Sequence, residues 1–231
     1  MKFLFLLFGL FVYSASLFSQ EIPITVIEKK GKVDLKIRDN DWSSVNIGDI
    51  ILTGSEFFTG LHSSITLEFG KESYITINQL SQATIDNVRL KKGEINVEVK
   101  LNNGYLVLLS KKNETQTNKI SVNFEVGNVV FANSGGEVYL RKEEGAIIKS
   151  FLGRVTVNPK IKTFYFLDKD EFCGITPGGI LLDYDFFLRK EIITKPNEIT
   201  NKNQIDTYFE ILSKPFNSDV GSNDYRESLR P

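Results

Sequence analysis

The chain reads as an all-β protein, and three observations lead to that class. Between residues 42 and 99 the apolar residues fall in short runs, rich in β-branched side chains and alternating in polarity. Such runs suit half-buried strands and not amphipathic helices. Glycine-containing breaks separate them at Gly48-Asp49, Thr53-Gly54, Gly60, Gly70-Lys71 and Lys92-Gly93. Strand-like runs then continue at short spacing to Leu182 with no convincing long helix between them.

The first twenty residues are expected to be a leader. Met1-Lys2 is followed by an apolar run from Phe3 to Tyr13 and then by the small residues Ser14-Ala15-Ser16. One lysine, a short apolar run and small residues behind it match a secretory signal peptide over residues 1–20. A spanning helix needs about 20 apolar residues, and here polarity arrives by Ser14. Cleavage is expected after Ser16, Ser19 or Gln20, with Glu21 as the mature start; the competing reading is a buried N-terminal helix. No cysteine follows the run, which excludes a lipid anchor at that point. The expectation is export, to the periplasm or the outer envelope, with no stable membrane insertion after cleavage.

An all-β domain is expected over residues 21–190. It opens with Ile24-Thr25-Val26-Ile27, a turn at Lys30-Gly31, and a strand with Val33, Leu35 and Ile37 on one face. Polar residues 38–41 lead to Trp42, the only tryptophan, expected as a packing anchor at a sheet edge. Strands are then expected at residues 50–52, 64–69, 74–77, 83–85 and 94–99. Asn102-Asn103-Gly104 predicts a turn before a strand at 105–109, and the polar stretch 111–118 predicts a mobile loop. Asn113-Glu114-Thr115 matches an N-glycosylation acceptor, a pattern too short to carry weight.

Further strands are expected at residues 120–126, 128–132, 137–140, 146–148, 154–157, 163–167 and 179–182. Thr194-Lys195-Pro196-Asn197 marks a boundary, and residues 191–216 read as a linker and a short helix. Ile205, Tyr208, Phe209 and Leu212 lie on one helical face, Asn203 can cap it and Pro215 stops it. Residues 217–231 are polar and expected to be disordered.

Composition narrows the function classes. Cys173 is the only cysteine, so no internal disulfide forms, and its neighbours Phe172 and Ile175 favour a buried, inert thiol. The chain has 28 basic and 29 acidic residues, and losing Lys2 with the leader leaves 27 against 29. That near-balance gives no electrostatic case for nucleic acid or for adsorption to an anionic membrane.

The search for chemistry returns no catalytic, cofactor-binding or metal residues. His62, the only histidine, sits beside Ser63 and Ser64, but nothing marks a nucleophile elbow, and a surface turn is the better reading. Zinc lacks ligands with one His and one Cys. The acidic pairs Asp39/Asp41, Asp168/Asp170/Glu171 and Asp183/Asp185 lack the spacing of a calcium loop and read as solvated turns. Gly135-Gly136 has no accompanying Lys-Ser/Thr and is no phosphate loop. No cofactor is therefore expected, nor an enzyme. Phe164-Tyr165-Phe166 and Phe186-Phe187 place aromatics on both faces of their segments. They are either covered by the C-terminal helix, the favoured reading, or a binding patch.

The order of signals from Gly31 to Val157 resembles the FecR domain of bacterial envelope proteins. Gly31-Lys32-Val33 stands where the family opens with Gly-x-Val. Trp42, Ile47-Gly48-Asp49 and Thr53-Gly54-Ser55 follow in the family's order, as do residues 64–70, 74–85 and the 90–99 ladder, and Gly153-Arg154-Val155-Thr156-Val157 ends it. One step departs. Where the family has Thr-Pro and then Arg-Gly-Thr, this chain has Gly127-Asn128 and Gly135-Gly136-Glu137 before Tyr139.

The resemblance implies a FecR-like twisted β-solenoid of stacked short strands. Signalling members resemble anti-sigma regulators with a transmembrane helix, whereas this chain has a leader in that place. A free-standing exported domain is implied, a non-catalytic module binding an envelope protein or glycan partner. The alternative is a periplasmic sensory component acting on a separate membrane regulator.

Overall fold

The computed structural model describes residues 22–38, 40–112, 117–161, 164–183 and Phe209. The expected leader, the Asn113 acceptor, Phe186-Phe187, the tail and all of the C-terminal helix except Phe209 lie outside the described residues.

About two thirds of the described residues lie in strands, and among them only Phe209 is helical. In order it forms β1 (Ile24–Lys30), β2 (Val33–Ile37), β3 (Ser43–Ser44), β4 (Ile50–Ile51), β5 (Ser55–Thr59) and β6 (Ser64–Phe69). Then come β7 (Ser73–Ile77), β8 (Gln82–Lys91), β9 (Glu94–Leu109), β10 (Thr117–Phe124), β11 (Gly127–Ala132) and β12 (Gly135–Arg141). The last are β13 (Gly145–Leu152), β14 (Val155–Pro159), β15 (Tyr165–Leu167), β16 (Phe172–Ile175) and β17 (Leu181–Leu182).

Two sheets result. The first runs β4-β1-β6-β7-β9-β12-β13-β16-β17. The second runs β3-β2-β5-β8-β9-β10-β11-β14-β15. The chain visits them alternately, so both grow in chain order from the β3/β4 end to the β15/β17 end. Short strands stack as expected, and the repeating unit is an antiparallel hairpin. Only β9 and β10 pair in parallel, Glu94 facing Thr117. A parallel pair needs a long return path, and the second half of β9 provides it by crossing to the other sheet.

That crossing replaces the expected Asn102-Asn103-Gly104 turn. β9 does not reverse there: Gln82 faces Asn103 in the second sheet, and Gly104 faces Leu140 in the first. Gly104 has φ +114, and a Cβ on it would lie 2.4 Å from the Ser81 Cα, so only glycine fits. Ser81 seals the crossing, its Oγ accepting from the Tyr105 N–H at 2.9 Å.

Side chains alternate inward and outward along the strands, with register shifts in β1, β8 and β12. Leu67, Ile75, Leu106 and Val138 of the first sheet and Phe57, Val97, Ile120 and Phe131 of the second belong to one continuous buried core. Where the chain steps between sheets, backbone groups lose ladder partners and buried hydroxyls replace them. Ser63 Oγ accepts from Lys32 N–H at 2.9 Å, and Thr59 Oγ1 accepts from Ser81 N–H at 2.9 Å while donating to the Asn78 carbonyl.

A smaller apolar group lies on the outside of the first sheet. Alternation turns Ile147 and Phe172 outward, yet each is only 1% exposed, as is helical Phe209. The Arg141 guanidinium lies over the Phe209 ring, 4.4 Å from its centroid. Phe209 therefore packs at the first sheet.

Two further expectations are corrected. Trp42 is 47% exposed and so is no buried anchor, whereas Val45, three residues on, is fully buried. Residues 111–118 are not all loop, since β10 begins at Thr117 and Asn118 is fully buried. The Asn118 amide donates to Ser73 Oγ at 2.6 Å, which a polarity count along the sequence does not reveal.

Candidate functional site

The outward residues of the second sheet form two straight rows running across the strands. Register places Glu98, Ser121, Val130, Thr156 and Phe166 side by side. The neighbouring row is Lys100, Asn123, Asn128 and Asn158. Phe164, one alternation from Phe166, extends the amide row, and the two rings lie 5.2 Å apart and tilted by 58°.

The three asparagines are linked as a ladder. Asn158 Nδ2 donates to Asn128 Oδ1 at 2.7 Å, and Asn128 Nδ2 donates to Asn123 Oδ1 at 3.3 Å. Each amide has two donors and an acceptor with two lone pairs, so a chained row retains capacity directed to solvent. β14 and β15 present the aromatic end. Phe164 is 60% and Phe166 46% exposed, so they are not covered by a helix as expected. Arg154 frames them: its Nε and Nη2 bind both Asp168 oxygens at 2.7 and 3.3 Å, and its guanidinium stands 5.5 Å from the Phe166 ring centroid. The face thus offers aligned amides, the hydroxyls of half-buried Thr156 and buried Ser121, two apolar rings and an ion pair.

The expected bland residues are placed as follows. His62 lies in a turn at φ 53 with its N–H donating to Gln79 Oε1 at 3.0 Å. Ser63 is buried, and its hydroxyl donates to the Leu61 carbonyl at 2.9 Å, so it is held by backbone. Asp168 is taken by Arg154, and its N–H is capped by Glu171 Oε2 at 2.8 Å. Among the described residues no three His, Cys, Asp or Glu side chains gather as a metal site. Gly135-Gly136 opens β12 between two strands, where a Cβ on Gly136 would lie 2.3 Å from the Lys149 carbonyl. Cys173 is fully buried in β16 opposite Ile148, and burial, then Asp183, pushes its thiol up.

Two features were not legible from the sequence. Tyr105 and Tyr139 face each other across β9 and β12 with rings stacked at 4.1 Å, and the Tyr139 hydroxyl donates to Glu137 at 3.0 Å. Burial pushes Tyr105 up to about 12 and Tyr139 further. At the β3/β4 end, Ile47, Ile50 and Leu52 join Trp42 as exposed apolar side chains. A groove of about 620 Å³ there is lined by Ile22, Ile50, Leu52 and Val88.

No protein-family model and no curated protein matches the chain. Among solved structures it is similar to two crystal structures of a "putative anti-sigma factor" from Parabacteroides distasonis ATCC 8503. Each is 13% identical with a TM-score of 0.45, and the match spans 55% of this chain and 57% of that one. A likeness of that size carries no argument about what this chain does.

Proposed function

We propose that the chain is an exported FecR-like module, non-catalytic, that holds an envelope glycan on the outer face of its second sheet. The supporting observation is the asparagine ladder running into two exposed rings. A sugar strand presents hydroxyls along its length and apolar C–H faces on its rings. Aligned amides satisfy the first, and phenylalanine faces the second. The asparagine side chains are already hydrogen-bonded to one another along the strands, so little ordering entropy opposes binding.

The test is cosedimentation of the chain from Glu21 onward with purified insoluble envelope polysaccharide, beside a Phe164→Ser/Phe166→Ser variant. Retention of the parent and loss by the variant support the reading. Equal retention of both, or none of either, removes the glycan.

The apolar β3/β4 end favours a second reading, a sensory component acting on a separate membrane regulator. Trp42, Ile47, Ile50 and Leu52 are the kind of exposed apolar group that protein partners cover. A regulator that crosslinks to this end, and is lost with Ile50→Asp, supports it.

A further inference from the structure

Net charge belongs to the whole chain, but potential depends on where the fold brings charges together. Three turns meet at one corner of this molecule. The β6–β7 turn holds Lys71, the β8–β9 hairpin holds Arg89, Lys91 and Lys92 at and near its tip, and the segment after β9 holds Lys111 and Lys112. Lys119 of β10 joins them, because Asn96 of β9 lies between it and Arg89 in the second sheet.

The meeting is built by hydrogen bonds. Buried Asn118 donates to Ser73 Oγ at 2.6 Å, and the same Ser73 Oγ accepts from Lys111 N–H at 3.0 Å. Ser110 Oγ donates to the Asn118 carbonyl, and Thr117 N–H donates to the Gly93 carbonyl at 3.0 Å. The three turns are thereby fixed to one another, and the cations stand on a rigid frame.

Charge there is one-sided. Seven cations face two carboxylates, Glu72 and Glu94, among the described residues of the corner. Glu72 is paired with Lys111 at 3.3 Å, and Glu94 stands across from Lys91. Seven less two leaves an excess of five positive charges among the described residues of the corner, in a chain whose net charge is −1.

We propose that this corner docks the protein peripherally on an anionic phospholipid surface. The shape decides for a surface over a polymer. Lys71, Lys92, Lys111 and Lys112 lie on the turns and Arg89 and Lys91 at the end of the β8–β9 hairpin, all of them exposed, whereas a linear polyanion is held in a groove that follows its backbone. Leu90, which faces core Ile95 on the side of β8 away from Arg89 and Lys91, is 37% exposed, an apolar side chain presented at the same corner. Each lysine near an anionic leaflet contributes about a fivefold gain in partition, so the corner gains affinity cooperatively and loses it to salt. The near-balance of total charge concealed this.

The experiment is vesicle cosedimentation of the chain from Glu21 onward, which contains every described strand. Phosphatidylglycerol-rich vesicles are compared with pure phosphatidylcholine. Binding to the first, its reversal by salt and its absence from the second are expected. Lys91→Gln/Lys92→Gln/Lys111→Gln should weaken binding about a hundredfold with an unchanged melting temperature, and Leu90→Ser should weaken it without altering the salt dependence. Parent-like binding by the triple variant, or equal binding to neutral vesicles, overturns the proposal. So does tighter binding to soluble heparin than to vesicles at matched charge, which reassigns the corner to a polymer.

Discussion

Single residues fix the crossings in this fold, and glycine shows it most sharply. At Gly104 the backbone sits at φ +114 with Ser81 against it, so both strain and overlap oppose a side chain. At Gly48, φ +92 is equally unusual, but nothing lies within 4 Å of a new Cβ. Gly104→Ala is therefore expected to cost about 3 kcal/mol or more and Gly48→Ala about 1 kcal/mol, read from urea midpoints at constant m. The stacked tyrosines give a second residue-scale prediction. With Tyr105 pushed up to about 12, the folded chain keeps a proton that the unfolded chain releases near its ordinary value of 10. Stability is thus full below about pH 10 and falls as pH rises through 12. Tyr139→Phe removes part of that fall, and absorbance titration of the phenolates against the parent measures it.

At the scale of elements, local pattern wrote most strands and long-range neighbours wrote the rest. β6 and β7 were legible because period-two alternation survives in them without interruption, and β10 from Ile120 onward because Ile120, Val122 and Phe124 alternate. β5 was missed: Phe57 and Phe58 are adjacent apolar residues, and only the fold turns one into the core and the other to solvent. β9 was cut in two because Asn-Asn-Gly signals reversal locally, while Ser81 and Leu140, distant in sequence, make it a crossing. Gly-punctuated hairpins were readable; which aromatics are buried was not, since Phe131 and Phe166 carry the same local signal. The two aromatics now separate by experiment. Phe131, fully buried between the sheets, should cost about 3–5 kcal/mol on truncation to alanine. Phe166→Ala should change stability by less than about 0.5 kcal/mol. Thermal unfolding of the two variants checks both.

For the whole molecule, one core running through both sheets makes a rigid slab whose outer faces are free to differ. The first sheet is covered near Phe209, the second presents the amide rows, and the corner at Asn118 gathers cations. None of these surfaces was legible in the sequence, because registers across β10, β11, β14 and β15 align residues up to 47 positions apart, Ile120 with Leu167 and Ser121 with Phe166. The central claim is that the second sheet's outer face is the working surface. The most direct measurement is crosslinked capture from intact cells, with the parent, Phe164→Ser/Phe166→Ser and the opposite-face control Lys149→Gln compared at equal expression. The account predicts that envelope glycan is captured by the parent and by Lys149→Gln and lost with the phenylalanines. Undiminished capture by the phenylalanine variant would contradict it.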